Sequence, residues 1–73
     1  MLLSPNPVRD VLTLTLDLSQ SNAPVELVDV TGRVVLRGLL NGTMVQLDVT
    51  GLRAGLYQVR VEKVQSTGRF VKL

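Results

Sequence analysis

The chain carries six carboxylates and eight basic side chains, with no histidine and no cysteine, so the chemistry open to it is narrow before any folding is considered. Without thiolates or imidazoles the usual ligands of zinc and haem are missing, and Ser-His-Asp or Cys-His nucleophiles lack their base. What remains is carboxylate acid-base work, which needs two acids held together in a pocket that perturbs their pKa values. Asp29 and Asp48 border turn signals, while Asp17, Glu26 and Glu62 fall on outward strand positions, so local spacing pairs none of them. No glycine run follows a strand pattern and opens a helix, which removes a phosphate loop. The expectation is a non-enzymatic chain without metal or cofactor. Arg33, Arg37, Arg53, Arg60 and Arg69 lie on different elements and read as solvated charges rather than as one basic face. A net charge of +2, one Phe, one Tyr and no Trp give nucleic acid neither enough charge nor enough stacking surface.

The elements that position these residues are strands. Residues 11–18 (VLTLTLDL) set Leu12, Leu14, Leu16 and Leu18 against Thr13, Thr15 and Asp17, the period of a strand with one buried and one wet face. Similar patterns cover residues 1–4, 24–29, 34–40, 44–49, 57–62 and 69–73. This amounts to about seven short strands with turn signals at the spacing of a sandwich or barrel, and no helical period. The expected core includes Leu12, Leu14, Leu16, Leu27, Val45, Leu47, Leu52, Tyr57, Val59 and Val61. Residues 1–73 form one small domain, and no apolar run approaches the ~20 residues of a membrane span. Met1-Leu2-Leu3 is too short for a signal peptide, so an export leader would lie upstream. The absence of cysteine leaves the compartment open.

Turn chemistry supplies the connections. Pro5-Asn6-Pro7 makes a rigid turn, residues 19–23 a polar loop closed by Pro24, and residues 65–68 a last turn. Asp29-Val30-Thr31-Gly32-Arg33 reads as a type I turn closing a hairpin, with the Asp side chain bonding the backbone two residues on. Gly38 suggests a bulge, and Asn41-Gly42 a tight hairpin rather than a glycosylation site. The stretch 52–57 (LRAGLY) reads as a corner in which Leu52 plugs the open end of the core and Gly55 takes an angle that a side chain forbids. There the Tyr57 ring is buried with its hydroxyl bonded back to the connecting backbone. Positive overall hydropathy, low net charge and few edge guards besides Pro24 and Lys72 make edge-strand homo-oligomers an expectation as well.

Ser4-Pro5-Asn6-Pro7, the strand VLTLTLDL, the runs 28–35 (VDVTGRVV) and 47–57 (LDVTGLRAGLY), and Phe70-Val71-Lys72-Leu73 stand in this order over nearly the whole chain. Together they resemble the C-terminal sorting domain of the type IX (Por) secretion system of Bacteroidota. The resemblance implies an all-β fold, a small immunoglobulin-like antiparallel β-sandwich that ends a larger exported protein. It implies a folded address that follows an upstream cargo domain and is read by the outer-membrane translocon. A surface sortase usually then removes it and joins the cargo to anionic lipopolysaccharide, which places the protein in the periplasm in transit and on the outer surface or outside the cell afterwards. By position, Asp29, Gly32 and Arg33 match the family's hairpin motif, Leu52, Gly55 and Tyr57 its corner motif, and Lys72 its terminal basic motif. Val28 stands where an aromatic is common. Arg33, Arg69 and Lys72 are the candidate recognition residues, the last strand being expected to dock through Phe70, Val71 and Leu73 while Arg69 and Lys72 stay free. The competing class is an immunoglobulin-like accessory module that packs on a neighbour or binds carbohydrate, and for the latter two aromatics are few.

Overall fold

Two long strands paired along their length carry the architecture in a computed structural model that describes residues 1–73. β2 (Val11–Val28) and β3 (Val34–Asp48) run antiparallel from the pair Val11 and Asp48 to the pair Val28 and Val34. β1 (Leu2–Ser4) pairs with the first half of β2, Leu2 opposite Thr15. β4 (Gly55–Val61) pairs with its second half, Val25 opposite Val61, and β5 (Ser66–Lys72) closes against β4. These pairings are all antiparallel and make one curled sheet, with a single 3-10 turn at Glu62–Val64 as the only helical piece.

The seven strand patterns merge into five strands because two expected reversals are bends instead. Residues 19–23 and Asn41-Gly42 lie within β2 and β3, where Gln20 pairs with Gly42 and Ala23 with Leu40. Asn22 (φ 51°) and Gly42 (φ 83°) sit in the left-handed region on facing strands, and the Asn22 N–H donates to Asn41 Oδ1 at 2.8 Å. Turn residues facing each other on the paired strands coincide with register shifts, which bend the ribbon without reversing it. The expected turn at 65–68 also moves, since Gln65 takes φ 51° and closes the 3-10 turn, so β5 starts at Ser66.

The bulge expected at Gly38 lies elsewhere. Register runs unbroken from the Pro24 and Leu39 pair to the Glu26 and Arg37 pair, and the irregularity falls at Val35, between the Leu27–Leu36 and Val28–Val34 pairs. Gly38 serves packing, since a Cβ placed there would lie 2.9 Å from Leu47 Cδ2. The doubled ribbon thus brings the first half of β3 over its second half, and the curled sheet encloses one core. Leu12, Leu14, Leu16, Leu27, Leu47, Tyr57, Val59 and Val61 are buried as the alternation requires, and Val45 and Leu52 pack against them half-buried. Val8, Ala23, Val25, Leu40, Val49 and Phe70 complete the cluster. Leu18, expected inward, is 74% exposed because the register shifts after Thr15.

Gly38→Ala is expected to lower stability by about 1 kcal/mol, overpacking outweighing the better strand propensity of alanine. In a Leu47→Val background, which deletes the atom it would strike, the penalty should vanish. Urea melts of the four proteins check this, and an equal penalty in both backgrounds would contradict the packing role.

Candidate functional site

Two turns built from the same four residues frame one end of the molecule. At the β2–β3 turn the Gly32 N–H donates to the Asp29 carbonyl and the Asp29 N–H to the Arg33 carbonyl, each at 3.0 Å, with Gly32 at φ 89°. Asp29 Oδ1 accepts from the Thr31 N–H at 2.9 Å, the Thr31 hydroxyl at 2.6 Å and the Arg33 N–H at 3.1 Å. Asp48 repeats the arrangement, its Oδ1 accepting the Thr50 N–H at 3.0 Å and the Thr50 hydroxyl at 2.7 Å. The signal was present as a repeat, Asp-Val-Thr-Gly at 29–32 and 48–51, which a strand-by-strand reading passes over. Both carboxylates are held below the usual range, Asp29 chiefly by the Thr31 hydroxyl and further by the Arg33 and Thr31 N–H groups and the Arg33 charge. Asp48 is held there by the Thr50 hydroxyl and N–H. Each carboxylate thus commits its Oδ1 to its own turn. Arg33 lies 3.8 Å from Asp29 with its side chain 79% exposed, a surface pair that leaves the cation in water.

The corner follows the second turn. The Leu52 N–H donates to the Val49 carbonyl at 3.0 Å, and Leu52 packs half-buried against the core. Gly55 has φ 154° with open space around a would-be Cβ, so its requirement is backbone geometry alone. The Tyr57 ring is buried, and its hydroxyl donates to the Arg53 carbonyl at 2.6 Å. Tyr57 also stacks on Phe70, its partner across β4 and β5, with centroids 5.4 Å apart and planes 17° from parallel, a pair worth about 0.5–1.5 kcal/mol beyond its burial. The two turns meet across an open cleft of about 380 Å³ lined by Asp29, Arg33, Leu52, Arg53 and Tyr57.

The terminal strand is held on both edges. β4 occupies one, while on the other the Val8 N–H donates to the Val71 carbonyl and the Leu73 N–H to the Val8 carbonyl, each at 2.9 Å. Asn6 completes this clasp, accepting the Val71 N–H at 3.0 Å and donating to the Arg69 carbonyl at 3.4 Å. Alternation then turns Phe70 and Lys72 inward and Arg69, Val71 and Leu73 outward. The expectation that both cations of this strand stay free is therefore corrected for Lys72, which is 8% exposed and donates through Nζ to the Leu73 carbonyl at 2.7 Å. Val71 and Leu73, expected to dock the strand, face solvent.

Register also gathers arginines that sequence order keeps apart. Glu26 pairs across the sheet with Arg37 on β3 and Arg60 on β4, and its carboxylate takes a 3.3 Å ion pair from each. Arg69 lies opposite Gln58, which shares the outward side of β4 with Arg60. Three arginines thus occupy one outer face, while Arg33 and Arg53 stand at the turn end. No group of three His, Cys, Asp or Glu residues gathers anywhere, and no helix is long and apolar enough to cross a membrane.

Compared with known proteins, the chain matches the family described as "Secretion system C-terminal sorting domain" over residues 3–72. No curated protein and no solved structure matches it significantly.

Tyr57→Phe is expected to cost about 1 kcal/mol through the lost hydroxyl bond. Gly55→Ala should cost on the order of 1–2 kcal/mol through backbone strain, with Gly55→Val costing more, and wild-type behaviour of all three in urea melts would refute the corner. Acid should act on the two Asp turns. Because the folded pKa values of Asp29 and Asp48 are depressed, their contribution is fully present above the ordinary carboxylate pKa of about 3.9 and is lost as pH falls through the depressed values. Melting temperature from pH 2 to 7 should therefore fall less steeply at the acid end for Asp29→Asn/Asp48→Asn than for the parent.

Proposed function

Because the chain belongs to the family of secretion system C-terminal sorting domains, we propose that residues 1–73 form a single folded address at the C-terminal end of a larger exported protein. The observation that carries this reading is the family match over residues 3–72, which takes in both Asp turns, the corner and the whole of β5. The domain is a C-terminal sorting signal for type IX secretion, and a cargo joined to it is exported to the cell surface or beyond. Its route crosses the periplasm. An outer-membrane translocon reads the folded domain, and a surface sortase removes it and joins the cargo to anionic lipopolysaccharide. In this role the domain is a ligand of the machinery and not a catalyst, which fits carboxylates tied into turns.

Recognition falls on what folding leaves exposed. Arg69 and Arg33 present their cations to solvent and are the residues proposed to be read, whereas Lys72 acts by anchoring the strand end. Association between copies is assigned to β3, which pairs with β2 alone and leaves its other edge open beside the exposed Leu39 and Met44.

A secreted reporter fused to this domain is expected to reach the surface of a host with a type IX system. Arg69→Glu should change stability by less than about 0.5 kcal/mol, as surface substitutions do, and reduce surface reporter. Lys72→Glu should lower both stability and export, and so should removal of residues 69–73, which takes away the part of β5 that pairs with Gly55 to Gln58 of β4. Surface reporter and melting temperature measured in parallel check these outcomes. Retention of the intact, folded fusion inside the cell would overturn the sorting reading in favour of an accessory module.

A further inference from the structure

We propose that the outer face of β4 and β5 is a docking groove for an extended acidic segment of a partner protein, in which carboxylates alternate with apolar side chains. The proposal rests on the sorting reading only for which protein carries that segment. The face holds the largest concavity of the molecule, about 420 Å³, open to solvent between the Asp29–Gly32 turn and the outer side of β5. Its lining combines apolar Val28, Val30 and Leu56 with Arg60 and Arg69.

Charge selects the occupant's sign. On this face a single carboxylate, Glu26, serves two guanidinium groups, and Arg69 makes no ion pair. Arg60 reaches Glu26 through Nη2, while its Nε is buried with no hydrogen-bond partner. The one acid at the rim, Asp29, already accepts three hydrogen bonds and pairs with Arg33. The face therefore presents an exposed guanidinium without a carboxylate in Arg69, a group whose planar fork matches one.

Shape and apolar exposure select its class. Val30 is 79% exposed, Leu56 46% and Val71 40%, and Leu56 and Val71 are direct neighbours across β4 and β5. A phosphate has no use for apolar groove walls and a flat membrane does not fill a concavity, whereas an extended peptide enters it and sets side chains of alternating kind at regular steps. The mode is docking on the face. Strand addition to the end of β5 is closed because Asn6 and Val8 already hold that edge.

The test uses the 73-residue protein, a fluorescein-labelled peptide alternating Glu with Val, its Lys-for-Glu counterpart, and phosphatidylglycerol vesicles. The acidic peptide should bind with affinity that falls as salt rises, and its amide shift changes should centre on residues 28–30, 56–60 and 69. Arg69→Glu and Leu56→Asp, both at exposed positions, should each weaken it at least about tenfold, while Arg53→Glu at the turn end should change it less than about twofold. Binding that ignores both groove variants, or vesicle binding without peptide binding, overturns the proposal. The same variants in the reporter assay separate the two readings. Lost peptide binding with normal export overturns the groove as the place where the address is read and leaves the sorting function standing. Failure of the intact fusion to be exported overturns the sorting function and leaves the groove to the binding data.

Discussion

Resumed pairing of β2 and β3 on both sides of a bend is the constraint on which the rest of this structure depends. The row Leu12, Leu14, Leu16 and the row Val25, Leu27 come from opposite halves of β2 and enter one core. They do so because the strands bend together where Gln20 meets Gly42. A slip of one residue would carry a whole row to solvent. Polar groups that the ladder drops at the bend find other partners, Asn41 Oδ1 accepting the Asn22 N–H and Lys63 Nζ donating to the Ser21 carbonyl, each at 2.8 Å. With the ribbon doubled, the two halves of β2 are separated enough to receive β1 and β4 independently.

The remaining hairpin is fastened to this ribbon at the corner. A chain of this size buries only about 60% of the surface its unfolded form exposes, and it has no cysteine to add a disulfide. Local devices carry more weight under such conditions. Tyr57 acts in two directions, its ring on Phe70 of β5 and its hydroxyl on the Arg53 carbonyl of the preceding turn. The Asp29 and Asp48 turns satisfy N–H groups through bonds between residues two positions apart, with no help from the rest of the fold.

How much was legible follows from what is local. Strand faces, the Asp29 turn and the Tyr57 hydroxyl bond rest on alternation or on residues a few positions apart, and these read directly from the chain. The bends at residues 19–23 and Asn41-Gly42 did not, because turn residues specify a local backbone angle, and whether that angle reverses or bends a strand depends on what the paired strand does opposite. The role of Gly38 was equally hidden, since Leu47 reaches it only after the ribbon doubles. Lys72 escaped for a simpler reason. Alternation from Phe70 places it inward against the ordinary preference of lysine for water, because its aliphatic stem can lie in apolar surroundings while Nζ finds an acceptor.

The arginines show why a charged outer face is harder to read than a core. Arg37, Arg60 and Arg69 come from three strands, and only the register that sets Glu26 between Arg37 and Arg60, and Arg69 opposite Gln58, makes them neighbours. Nothing in their spacing along the chain encodes this. The same register keeps the core and the charged groups on opposite sides of β4 and β5, since Tyr57, Val59, Val61 and Phe70 lie inward while Leu56, Gln58, Arg60 and Arg69 lie outward. An address must stay folded to be read and must keep something free to be read by. A strand that alternates core residues with cations and exposed apolar groups meets both demands within one short hairpin.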